Sequence, residues 1–120
     1  MSLRAVRGAV QLDADEREHL LASTTELITA VMEANDLTPE DLVQVVFTAT
    51  PDLTSEFPAV AARQAGLGAV PLLCAVELDV VGAMPRVVRL MALAETQRTR
   101  EQVRHVYLRG AAALRRDIAQ

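Results

Sequence analysis

The chain has no lysine, no tryptophan, one tyrosine, two phenylalanines and a single cysteine among its 120 residues. Each scarcity excludes something. One cysteine, Cys74, rules out an internal disulfide framework and fits a reducing compartment. It also leaves no recognisable metal-ligand set, because His19 and His105 stand far from it with no ligand spacing. Three aromatic residues provide little stacking surface, the whole chain is acidic, and no nucleic-acid motif is present; a nucleic-acid partner is therefore not expected. No apolar run reaches the roughly 18 residues that a membrane span requires. The opening MSLRAVRGAV has arginines within its apolar run, so a secretory leader is not expected. There is no glycine-rich phosphate loop and no G-x-S-x-G elbow. A cytoplasmic protein is the plain expectation.

What is present is aliphatic. Hydrophobic residues make up 51% of the chain, enough for one domain spanning 1–120 with a core of Val, Leu and Ala. The net charge of −4 hides an asymmetry: all three arginines and eleven of the acids up to residue 62 are followed by nine arginines and five acids. A second half that is basic through arginine alone fits an anionic partner, since the planar guanidinium matches carboxylates and phosphates. Genomic base composition is an equally available reason for the missing lysine.

Alternation and β-branched residues predict strands over 3–12, 42–50, 70–80 and 86–95. A long helix is expected after Asp15, which would cap it with Glu18 three residues on; Leu20, Thr24, Leu27, Ile28, Val31 and Met32 form its apolar stripe and Asn35 its end. Thr38-Pro39 opens a short turn. Phe57-Pro58 opens a second, shorter helix that Gly66 closes. Across Gly82 the fourth strand is expected to lie antiparallel to the third. HVYL at 105–108 reads as a short strand or as part of a tail helix. The β-α-β-α-β-β order predicts an α/β (α+β) fold with a mixed sheet, one long helix and one short one. Because the second strand is apolar on both faces and two helices give little cover, part of the sheet is expected to pack against other copies of the chain.

Arg89 shares its strand face with Val87, Met91 and Leu93. A guanidinium there needs an anion: Glu77 on the neighbouring strand, a bound ligand, or both. Arg7 repeats the pattern between Ala5 and Ala9, whose small side chains leave space for a pocket; the alternative is an arginine reaching solvent at a strand end. Glu77 shares a face with Ala75 and Asp79, whereas Cys74 has the opposite parity and reads as a small buried hydrophobe.

Several strings in order, RGA at 7–9, TPDLTSEFPAVAAR at 50–63, VPLLCAVE at 70–77, VVRL at 87–90 and RHVYL at 104–108, resemble the monofunctional bacterial chorismate mutases of the trimeric α/β (AroH) type. The resemblance implies a pseudo-α/β-barrel homotrimer with active sites at its subunit interfaces. It implies the Claisen rearrangement of chorismate to prephenate, on the route to phenylalanine and tyrosine, with no cofactor and no metal. By the same resemblance Arg89 donates to the substrate's ether oxygen and Arg7 grips a carboxylate near it. Glu77 accepts from the ring hydroxyl while balancing Arg89, and Tyr107 binds a carboxylate. Cys74 contributes mainly through its backbone. Phe57 and Arg63 come from the neighbouring subunit at the site entrance, Leu73 and Ala59 form wall, and Arg115 belongs to a mobile tail (about 109–120) that helps to close the site. Val60 stands where some relatives have lysine, Ala5 where glycine is frequent, and Arg116 where proline is usual. The alternatives are an imine deaminase of the RidA type on the same architecture, and a catalytically silent trimeric binding module.

Overall fold

Alternating small and branched residues in SLRAVRGAVQ form β1 (Ser2–Gln11). In the computed structural model, residues 1–114 are described; residues 115–120, with Arg115 and Arg116, lie outside the described residues. The remaining elements are α1 (Arg17–Ala34), β2 (Leu42–Ala49), α2 (Pro58–Ala62), β3 (Leu72–Val76), β4 (Val87–Thr96) and β5 (Val106–Leu108). They make one five-stranded mixed sheet in the order β3-β2-β4-β1-β5. The expected α+β class, mixed sheet and pair of unequal helices are all observed, and HVYL supplies a strand.

The expected antiparallel pairing of the third and fourth strands does not occur. β3 instead runs parallel to β2, with Phe47 opposite Cys74, and β4 lies antiparallel between β1 and β2. The reason lies in backbone satisfaction. β4 is ten residues long and matches β1 along its whole length, from Gln11 opposite Val87 to Ser2 opposite Thr96, so a central slot pairs both of its edges. The short β3 reaches β2 through the α2 crossover, which is how parallel neighbours are joined. β3 also ends at Val76, earlier than expected. Glu77 therefore sits just beyond the strand, though its N–H still donates to the Ala49 carbonyl at 2.9 Å.

Asp15 does not cap α1. The extended residue before the helix is Glu16, without a side-chain cap, and Asp15 instead accepts from the Thr54 and Ser55 N–H groups, both at 3.1 Å. Asn35 does end α1, and Gly66 adopts φ 99° within the wider turn Arg63–Leu67 that closes α2, a left-handed conformation that glycine takes without a Cβ clash.

The core lies on one side of the sheet. Val6, Val10, Val45, Phe47, Val88, Leu90 and Ala92 point toward α1, whose Leu20, Leu27, Ile28 and Val31 are buried against them. Gly8 permits this approach: a Cβ there would stand 3.0 Å from Val31 and 3.1 Å from Leu27. The opposite face has the reverse character. Leu3, Leu73 and Met91 on it are exposed at 54%, 62% and 45%, and only at the Tyr107 end do Ala111, Ala112 and Leu114 cover it.

Candidate active site

Strand register builds the candidate site on the face that no helix covers. Ala9 lies opposite Arg89 and Arg7 opposite Met91, so the two arginines are diagonal neighbours on adjacent strands. Thr48 of β2 stands opposite Arg89 on one side and Ala75 of β3 on the other. Tyr107 of β5 pairs with Ala9 and is buried. Together Arg7, Val46, Thr48, Arg89, Met91 and Tyr107 line a cleft of about 230 Å³.

Glu77 reaches into this row from beyond the end of β3. Its Oε1 lies 3.0 Å from Arg89 Nε and accepts from the Thr48 hydroxyl at 2.5 Å. The acid and the arginine are thus two strands apart, bridged over Thr48 of the strand between them. The Arg89–Glu77 contact is close but poorly aligned as a hydrogen bond, because the buried Arg89 Nε–H has no acceptor at hydrogen-bonding geometry. Among the described residues the Arg7 guanidinium forms no ion pair. Among the described residues Arg89 is paired with Glu77 and Arg7 with no carboxylate, which leaves the cleft cationic.

The other residues expected at the site are distributed differently. Phe57 and Cys74 line a separate, larger cavity of about 400 Å³ with the loop Thr50–Glu56. That cavity contains none of the arginines, so the cleft with the chemistry is the smaller one. Leu73 is exposed on the same sheet face as Arg89, and Phe57 is 67% exposed. Arg63 is exposed at the end of α2, whereas Ala59 is buried in the core of its own chain. Arg115 lies outside the described residues. Among those described, no group of three His, Cys, Asp or Glu side chains could hold a metal ion, and no helix is long and apolar enough to cross a membrane. Sequence reasoning missed Thr48; its signal was a hydroxyl between Phe47 and Ala49 in an otherwise apolar stretch.

The loop leading to Phe57 is held by acids. The Ser55 hydroxyl, near the carboxylate though poorly aligned with it, and the Thr54 N–H hold Asp15 below its ordinary 3.8. The Phe57 N–H and then Arg17 lower Glu56 in the same way, with Arg17 Nε 2.9 Å from its carboxylate. A depressed folded-state pKa stabilises the fold above the unfolded value and ceases to do so as pH falls through the folded value. Thermal melting followed from about pH 7 to pH 3 is thus expected to lose part of its midpoint below about pH 4. Asp15→Asn should flatten that loss, and an unchanged acid limb would remove Asp15 from the explanation.

A five-stranded mixed sheet with helices on one face and two neighbouring arginines on the other places the chain in the α+β class. The chain belongs to the family described as chorismate mutase type I, which matches residues 3–118. It is 48% identical over 117 residues to chorismate mutase AroH of Thermus thermophilus, covering 97% of this chain and 96% of that one. It is 39% identical over 120 residues to chorismate mutase AroH of Bacillus subtilis (strain 168), covering 99% and 94%. A solved chorismate mutase from Clostridium thermocellum superimposes with a TM-score of 0.90 at 34% identity, covering 92% of this chain and 98% of that one. The family match separates the mutase reading from the imine-deaminase one.

Proposed function

We propose that the cleft between Arg7, Arg89 and Tyr107 binds chorismate and converts it to prephenate, completed by a neighbouring copy of the chain in a homotrimer. The observation that supports this most directly is the pair of guanidiniums on one sheet face with a single balancing acid. Such a site is built for an anion, and chorismate carries two carboxylates.

The rearrangement is unimolecular and pericyclic, so its chemistry calls for no nucleophile. What accelerates it is conformational restraint and charge stabilisation. Arg7 and the Tyr107 hydroxyl hold the carboxylates so that the ring and side chain stay in a compact, reactive conformer, which removes part of the entropic barrier. As the C–O bond breaks, negative charge develops on the ether oxygen. Arg89, fixed by Glu77 and its strand, is set to stabilise that charge more strongly in the transition state than in the ground state. Glu77 receives the ring hydroxyl while holding the arginine.

The trimer reading is supported by surface chemistry. A cleft of about 230 Å³ is smaller than the roughly 300–1,000 Å³ usual for small-molecule sites, and exposed Leu3, Leu73, Met91 and Phe57 form apolar surface that favours association. Phe57 and Arg63 then reach the site from the neighbour. The lone cysteine supports a cytoplasmic setting.

The test is to mix the purified protein with chorismate, follow its ultraviolet absorbance, and identify prephenate by acid conversion to phenylpyruvate. Sedimentation of the same sample reads the assembly. Folded, trimeric protein that leaves chorismate unchanged would turn the assignment to a silent binding module; an active monomer would remove the neighbour's residues from the site.

A further inference from the structure

We infer that His105 is a positioning residue for this site: its imidazole clamps Arg7 to the strand that holds Tyr107, and does so only while neutral. The inference rests on the reading that Arg7 and Tyr107 hold the substrate. The Arg7 backbone N–H donates to His105 Nδ1 at 2.9 Å. β5 is a three-residue edge strand whose ladder with β1 starts at Gly8 opposite Val106, one residue after Arg7. The imidazole thus adds a link where the backbone ladder runs out, beside one substrate-binding residue and two positions before the other. So short an edge strand is weakly held by its ladder alone.

The preceding residue is fixed independently. Buried Asn35 donates to the Arg104 carbonyl at 2.9 Å and accepts its N–H at 2.8 Å, while also donating to Val31. α1 therefore sets where the chain enters β5, and His105 sets how that chain meets Arg7. Nδ1 accepts only when unprotonated, since an imidazolium donates from both nitrogens. The charged residues lining the cleft of about 330 Å³ beside His105 are Arg4 and Arg7 from β1 and Arg100 from the turn Arg100–Gln102.

The experiment compares wild type, His105→Asn and His105→Leu in two readouts: hydrogen exchange of the Arg7 amide, and kcat and KM across about pH 5 to 8. Asn places an acceptor near the Nδ1 position and does not titrate; Leu removes it. The expected result is a protected Arg7 amide in wild type and His105→Asn but an exchanging one in His105→Leu. With it should come a roughly ten- to hundred-fold loss of kcat/KM in His105→Leu, and an acid limb in wild type that His105→Asn lacks. Equal Arg7 protection in all three proteins overturns the clamp, as does an acid limb retained in His105→Asn. If His105→Leu does not fold, the His105→Asn profile decides. A protected Arg7 amide that depends on His105, in a protein that leaves chorismate unchanged, supports the clamp and sinks the substrate reading instead.

Discussion

Arg89→Ala is expected to lower kcat/KM by a factor of roughly 10²–10³ or more, the ~3–4 kcal/mol associated with one well-aimed oxyanion donor. The fold should survive. Arg89 is half-exposed on the face away from the core, and among the described residues its side chain makes one ion pair, with Glu77. On the proposed role the loss should fall mainly on kcat, because the guanidinium would then stabilise a charge that develops only as the bond breaks. Arg89→Lys should recover little, since an ammonium lacks the planar fork that reaches an ether oxygen and Glu77 together. The check is steady-state kinetics beside circular dichroism and sedimentation. Near-normal turnover in folded Arg89→Ala would end the proposed role.

Glu77 is expected to give the second large effect, and two substitutions separate the two functions proposed for it. In Glu77→Gln the amide oxygen can still accept from the Thr48 hydroxyl and from a substrate hydroxyl, while the charge beside Arg89 is lost. In Glu77→Ala both are lost, and the guanidinium keeps neither partner nor tether. Removing one member of a fully buried ion pair costs about 3–5 kcal/mol; Arg89 and Glu77 side chains are 40% and 26% exposed, so solvent screening reduces that figure. Glu77→Ala should therefore be the more damaging change, with Glu77→Gln intermediate in kcat/KM. Equal losses would show that the charge, not the accepted hydrogen bond, is what matters.

These predictions concern residues that were legible in the sequence for different reasons. Arg7 and Arg89 stand out because a charge at an apolar strand position needs an anion. Periodicity predicted β1, α1 and β2, since alternation and helical spacing are local properties of the chain, and left HVYL open between strand and helix. Glu77 was assigned to a strand it has just left, and its partner to an adjacent strand that is two places away. Pairing in a sheet is set by which strands satisfy one another's backbone edges, and no stretch of sequence states that. For the same reason the contacts of Thr48 and His105 were not legible. A threonine in a strand and a histidine before one are ordinary until topology sets Thr48 between Glu77 and Arg89, and His105 against the Arg7 amide. Asp15 illustrates the competition directly: an aspartate before a helix is a good cap, but the Thr54 and Ser55 amides lay within reach and took it.

By itself the sequence determined the elements, the aliphatic core, the cationic character of the second half and the demand for an anion, because periodicity and desolvation act over short stretches. Only the tertiary structure decided that Arg7, Arg89, Thr48 and Tyr107 share one face, with Glu77 swung in above them. That arrangement follows from the order β3-β2-β4-β1-β5, in which long β4 pairs along both edges and short β3 is placed outermost. Strand order is a property of the whole chain's backbone hydrogen bonding, and through it five separate segments become one site.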